Sequence, residues 1–263
     1  MLGSDWLNRK HKLENATNYA LYYGVGREAE LTCFDIVIVE PAGQSQESIK
    51  SMQETGSLVL AYLSFMEIAE YAEEFKLLER TDFLKDKDRF LRNEEFDTYV
   101  IDIRSLNWQQ LLLQKVNTLF LLGYDGLFID TIGDIENSSI NSATREMLID
   151  AAVNILKEIR QRYSERILIQ NNGLEQLCSS TASIIDGLCW ENPPFNKKEC
   201  FAWIERITNH ILMLKSLFKI KIFILLEENT EVDMVREEEK AKDLGLLFYE
   251  AVKGYVDGVK KPL

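Results

Sequence analysis

An α/β fold, a single (β/α)8 barrel carrying a charged helical segment inserted after its third strand, is predicted by three observations. Eight short, nearly continuous apolar segments rich in β-branched and aromatic residues punctuate the 263 residues, as expected of parallel strands covered on both faces. Helical apolar periodicity separates most of them. Carboxylates or amides close nearly all of the segments, and in a (β/α)8 barrel those ends form one rim, where the active site is built. The rival is an open doubly wound sheet, which announces itself by a Gly-rich turn after the first strand. Here that turn reads Tyr23-Gly24-Val25-Gly26-Arg27-Glu28 and lacks the third glycine.

In chain order the strands are expected at 18–23, 34–40, 58–64, 99–104, 126–130, 166–170, 184–190 and 221–226. Residues 1–17 read as a polar N-terminal extension of one domain spanning 1–263, since no Ser-, Gly- or Pro-rich linker interrupts the chain. The links 24–33 and 174–183 have room for a turn or a stunted helix. Met147, Ala151, Ile155 and Ile159, reinforced by Leu148, Ala152 and Leu156, repeat as one buried helix face does. Ile204, Ile207, Ile211, Leu214 and Phe218 repeat the signal, as do Ala241, Leu244, Phe248 and Val252. Gly123 stops the helix that begins near Asn107. The segment 67–98 reads as a helix plus an insertion over one barrel end. Its Glu73, Glu74, Asp86, Asp88, Glu94 and Glu95 are read as a solvated face.

Composition excludes more than it selects. Thirty Lys and Arg against 43 Asp and Glu give a net charge of −13, which repels nucleic acid and anionic membranes and suits a neutral or cationic partner. No apolar run approaches the roughly 20 residues of a membrane span. Residues 1–18 lack a signal-peptide core; a secreted protein whose signal has been removed and a cytoplasmic one both fit. Cys33, Cys178, Cys189 and Cys200 show no C-x-x-C spacing, which argues against zinc and for buried free thiols, with one disulfide as the alternative in a secreted protein.

Among strand-ending residues, Asp130 follows the apolar run Leu127-Phe128-Ile129, which delivers its carboxylate to the rim. Glu191 follows Trp190 and precedes Asn192-Pro193-Pro194-Phe195, and aromatics beside acids provide a platform for sugar rings. Core packing is the alternative role for Trp190, and helix capping or ion pairing is the alternative for any single strand-end acid. His11 and His210 are the only histidines and neither ends a strand, so histidine-ligated metal sites and Ser/His triads lack their parts. Carboxylate chemistry is left. Glycoside hydrolysis needs two carboxyl groups and no cofactor. Magnesium held by Asp130, Asp134 and Glu191 is the runner-up, and a catalytically silent saccharide-binding barrel is the non-enzymatic reading. Two convergent acids favour the enzyme. Desolvation of Glu191 beside Trp190 and the prolines would keep it protonated as general acid/base, leaving Asp130 as the nucleophile of a retaining reaction. The exchanged roles stay open.

At these residues the chain also resembles the glycoside hydrolase family 114 group, the endo-α-1,4-polygalactosaminidase-like TIM barrels. The resemblance rests on Phe34-Asp35-Ile36-Val37-Ile38-Val39, on Val59-Leu60-Ala61-Tyr62-Leu63-Ser64 with Glu67, and on Val100-Ile101-Asp102-Ile103-Arg104 with Trp108. It continues through Gly123-Tyr124-Asp125-Gly126-Leu127-Phe128-Ile129-Asp130-Thr131, its most specific block, then Gln170-Asn171-Asn172-Gly173 and Asp186-Gly187 leading to Glu191. It implies hydrolysis of an α-1,4-linked galactosamine or N-acetylgalactosamine polymer by Asp130 and Glu191. Tyr62, Glu67, Asp102, Asn172 and Trp190 are then expected to bind the sugar or tune the acids, with no metal.

Overall fold

Eight parallel strands follow one another around a nearly closed barrel in sequence order: β1 Tyr19–Tyr22, β2 Ile36–Val39, β3 Leu58–Ser64, β4 Gly126–Asp130, β5 Ile167–Asn171, β6 Gly187–Glu191, β7 Lys221–Glu227 and β8 Leu247–Ala251. The computed structural model describes residues 2–228 and 232–261, with side chains from Asn8 onward. β8 returns against β1, where the rings of Tyr249 and Tyr19 lie 5.6 Å apart. The bodies of most strands are apolar because both faces are covered: Leu127, Phe128 and Ile129 of β4 are wholly excluded from water. Gly126 opens β4 for a steric reason, since a Cβ there would lie 2.2 Å from the Ile167 carbonyl oxygen of β5.

Helices α2 Glu28–Leu31, α3 Gln46–Glu54, α4 Leu106–Leu121, α5 Ser142–Arg162, α6 Leu177–Thr181, α7 Phe201–Phe218 and α8 Met234–Asp243 connect the strands; α1, Leu2–Asn15, precedes β1. The two short links do hold stunted helices, α2 and α6. Helix α5 starts at Asn141, whose side chain accepts from the Thr144 amide at 2.9 Å, and buries Leu148, Ala152, Ile155, Leu156 and Ile159.

Three expectations need correction. The segment 99–104 is not a barrel strand. Thr98–Val100 instead pairs antiparallel with Glu67–Ala69 and with Arg92–Asn93 outside the barrel. Asp102 and Arg104 interrupt its apolar run, which a strand buried on both faces would not tolerate. The barrel's eighth strand is Leu247–Ala251, where helical spacing was read. Gly245, at φ 64°, ends that helix early, and the strand alternates buried and half-buried residues. Asp130 and Glu191 therefore end the fourth and sixth barrel strands, not the fifth and seventh. Finally, the insertion 67–104 has no α-helix. Short hairpins and the 3-10 turn Glu73–Leu77 enclose an aromatic cluster of Phe75, Phe83, Phe90 and Tyr99.

Residues 1–17 are more than a polar extension. Helix α1 binds the N-terminal end of the barrel through Arg9 to Asp125, 2.8 Å, and Lys10 to Asp186, 2.9 Å. Those aspartates belong to a repeated device. Asp35, Asp125 and Asp186 stand immediately before β2, β4 and β6. Each accepts backbone N–H groups from the preceding strand's start: Thr17 at 2.7 Å, Val59 at 3.1 Å and Leu168 at 3.0 Å. The Asp-Gly pairs at 125–126 and 186–187 are thus foundations of the barrel rather than parts of its chemistry.

Candidate active site

The tips of β4, β5 and β6 carry Asp130, Asn171 and Glu191, and the chain turns sharply after each. Thr131, Asn172 and Asn192 have φ of 59°, 58° and 47°. Such left-handed conformations are costly for residues other than glycine, most of all for a β-branched threonine. Hydrogen bonds offset that cost. Thr131 Oγ1 accepts from the amides of Phe65 at 3.0 Å and Met66 at 2.8 Å. Asn172 Oδ1 accepts from the Glu191 amide at 3.1 Å, and Asn192 Oδ1 from the Glu227 amide at 2.9 Å. Each asparagine therefore fixes the tip of the following strand.

Between the acids lies Asn171. Its Nδ2 donates to Asp130 Oδ1 at 2.7 Å and to Glu191 Oε2 at 2.6 Å. Tyr62 and the Thr131 amide also donate to Asp130, while the Tyr255 hydroxyl donates to Glu191 Oε1 at 2.7 Å. Burial raises both carboxyl pKa values above their ordinary range, and for Glu191 the neighbouring Asp130 charge adds to it, to about 7. The pair shares a low-dielectric site and titrates as a unit. Tyr62 and Tyr255 are themselves raised, first by burial and then by the nearby carboxylates, so both remain hydrogen-bond donors. Tyr23 joins them, its ring 4.8 Å from Tyr62 and 5.5 Å from Tyr255.

A second acid pair adjoins the first. Glu67 accepts from Asn93 Nδ2 at 2.9 Å and from Thr98 Oγ1. Asp134 hydrogen-bonds to Glu67 and is pushed up to about 8, by burial first and then by the Glu67 charge. It holds its proton at neutral pH and donates to Glu67. Among the described residues no group of histidine, cysteine and carboxylate side chains is set to hold a metal ion.

The sequence-derived residues separate as follows. Asp130, Glu191, Tyr62 and Glu67 come together at the rim. Asn172 lies beside them but spends its side-chain oxygen on the Glu191 backbone. Trp190 alternates with Glu191 on β6 and faces away, packed 5.7 Å from Trp203 and 5.9 Å from Phe195 with 3% exposure. Asp102 is bound at both oxygens by Arg104, 2.8 and 2.7 Å, on the way into α4. At strand ends named for their polarity, Glu40 accepts from the Ala42 amide at 3.3 Å, and Glu228 pairs with Lys260 at 3.3 Å. Asn229 lies outside the described residues. Asn171, Tyr255 and Tyr23 were missed. The register alone pointed to Asn171, which sits beside Asp130 once β5 is aligned on β4.

A (β/α)8 barrel whose rim holds two half-buried carboxyl groups bridged by one amide is built as a glycosidase. The chain belongs to glycoside-hydrolase family GH114, whose profile matches residues 5–221. No curated protein sequence matches significantly. Among solved structures, the glycoside hydrolase domain of PelA from Pseudomonas aeruginosa is similar in fold. It has 19% identity and a TM-score of 0.77, covering 92% of this chain and 96% of that one. Ega3 from Aspergillus fumigatus, solved in complex with galactosamine, has 13% identity and a TM-score of 0.67, covering 95% and 97%.

Proposed function

We propose that this glycosidase hydrolyses an α-1,4-linked galactosamine or N-acetylgalactosamine polymer with retention of anomeric configuration. The observation that carries the mechanism is the bridge through Asn171. Two carboxylate oxygens at 2.7 and 2.6 Å from one nitrogen are at most about 5.3 Å apart at their nearest, a closeness that supports the short spacing of retaining pairs, roughly 5–5.5 Å between carboxyl groups, over the roughly 6.5–9.5 Å of inverting ones. Asp130, with three hydrogen-bond donors, holds the negative charge and attacks the anomeric carbon. Glu191, with its raised pKa, gives its proton to the departing glycosidic oxygen. It then takes a proton from the water that cleaves the glycosyl–Asp130 ester, restoring both groups. The desolvation that prepares Glu191 comes from its burial in the barrel mouth, opposed by the hydrogen bonds that Tyr255 and Asn171 donate to it; Trp190 faces the other way. The family membership, the galactosamine in the similar Ega3 structure and the net charge of −13 support an amino-sugar polymer.

The test is a product assay on a panel of amino-sugar polymers, followed by NMR of the first-formed anomer. Wild type is expected to release oligosaccharides of retained configuration in excess chelator, and Glu191→Gln to lose about 10³-fold or more in kcat, on the scale of a lost acid/base. Inverted product would overturn the double displacement. Activity lost in chelator and restored by magnesium would overturn the metal-free mechanism. A panel left intact would overturn the substrate class.

A further inference from the structure

The insertion 67–104 contains two kinds of aromatic residue. Phe75, Phe83, Phe90 and Tyr99 stack on one another with ring centroids 5.5 to 6.3 Å apart. Phe96 and Tyr71 are left out of that cluster, exposed to 63% and 90%. Their position follows from the ladder. Residues Arg92–Asn93 and Thr98–Val100 form a hairpin whose last pair is Asn93 with Thr98. These are the two residues that hold the Glu67 carboxylate, so Phe96, in the tip between them, stands two residues from a group bonded to a rim acid. That separation is at most about 7 Å of extended chain. Tyr71 follows Ala69, the partner of Thr98 in the same sheet, and so emerges at the same end of the ribbon. Both rings are thus available to a ligand that reaches the end of the ribbon nearest Glu67.

We propose that Phe96 and Tyr71 form a remote saccharide platform, on which a sugar ring of the polymer stacks by its apolar face one or more residues away from the cleaved bond. This rests on the polysaccharide-hydrolase reading above and adds a binding site to it. The hairpin tip that carries Phe96 is tied to the rim through Glu67, whose charge acts on Asp130. Glu94 and Glu95 occupy the same hairpin tip and Asp97 pairs with Arg92 there. A ring carrying a protonated amine thus meets carboxylates beside its stacking surface. Trp190, read from the sequence as a sugar platform with core packing as the alternative, is buried against Trp203 and Phe195; the platform proposed here stands on the insertion instead.

The test compares Phe96→Ala, Tyr71→Ala and Phe96→Trp on a long α-1,4-galactosamine polymer and on its trimer. Leu217→Ala, which removes an exposed apolar side chain on α7, is the control. Phe96→Ala is expected to raise KM for the polymer about 5- to 10-fold, an aromatic-contact effect. Its effect on the trimer is expected to be several-fold smaller. Phe96→Trp should restore polymer affinity, and the unfolding midpoint should stay within a degree or two of wild type. Binding of the polymer to Glu191→Gln, alone and combined with Phe96→Ala or with Tyr71→Ala, is measured in parallel by calorimetry. Equal losses on polymer and trimer, or a polymer KM and affinity untouched by both alanine variants, would overturn the platform while leaving the hydrolase reading in place. Polymer bound but not cleaved by wild type would overturn the hydrolase reading, and the calorimetric comparison would still decide the platform. Polymer neither bound nor cleaved would overturn both.

Discussion

Asn171 couples the two acids, because the hydrogens of one amide serve both carboxylates. Its hydrogen bond favours the charged form of Glu191. In Asn171→Ala, Glu191 should therefore keep its proton to higher pH, so the alkaline limb of kcat/KM, expected near 7, moves upward while the rate falls about 10- to 100-fold. A pH–rate profile with an unmoved alkaline limb would assign that limb to another group. Asp134 gives a second prediction. Its folded pKa of about 8 stands above the unfolded value near 3.8, so the folded state holds this proton more tightly. The resulting stability is complete at acid pH and lost as pH climbs through about 8. Asp134→Asn, which can still donate to Glu67, should flatten the fall in unfolding free energy between pH 5 and 9. An unchanged slope in urea titrations would argue against the protonated pair. Asp130 and Glu191 were legible in the sequence because each ends an apolar run that points it at the rim. Within Gln170-Asn171-Asn172-Gly173 nothing in the sequence separates Asn171 from Asn172: adjacent residues of a strand face opposite ways, and only the ladder to β4 fixes the phase. Tyr255 carries no sequence signal, since it follows a strand whose Phe248 and Val252 fall at helical spacing.

Among elements, long periodic helices such as α5 and continuous strands such as β4 announced themselves, whereas two errors came from local patterns with more than one reading. Phe248 and Val252 fall at helical spacing from Leu244, yet Gly245 separates them into another element. Val100-Ile101 is as apolar as a barrel strand, yet it serves a small antiparallel sheet. The count of eight survived because one strand was wrongly added and another missed. Strand phase also decides Trp190. Since it faces α7, Trp190→Ala should cost about 3–5 kcal/mol of unfolding free energy, while KM, measured well below the melting temperature, stays within about twofold. A raised KM at unchanged stability would return Trp190 to the sugar site.

Across the molecule, the opposite end of the barrel carries cations on α1 that neutralise the Asp125 and Asp186 supports. Each aspartate is mostly buried and keeps other hydrogen bonds, including Gln53 at 2.8 Å and Arg160 at 2.6 Å. Loss of the cations in the double variant Arg9→Ala with Lys10→Ala should therefore cost about 1–3 kcal/mol rather than unfold the protein. Its kcat should fall further than that of an α5 core variant of matched stability, Leu148→Ala for instance. Equal kcat in the two would mean that the helix supports the fold alone. Asp125 lies five residues, about 16 Å, beneath Asp130, and Asp186 the same distance beneath Glu191. Arg9 and Lys10 are neighbours in sequence, so the two struts bearing the acids are clamped at the base by adjacent residues and at the top by one amide. The proposed stereochemistry depends on a tolerance of an ångström or so between the carboxyl groups. That gauge is set at both ends of the same pair of struts, so substitutions along their length can accumulate before the product changes hand.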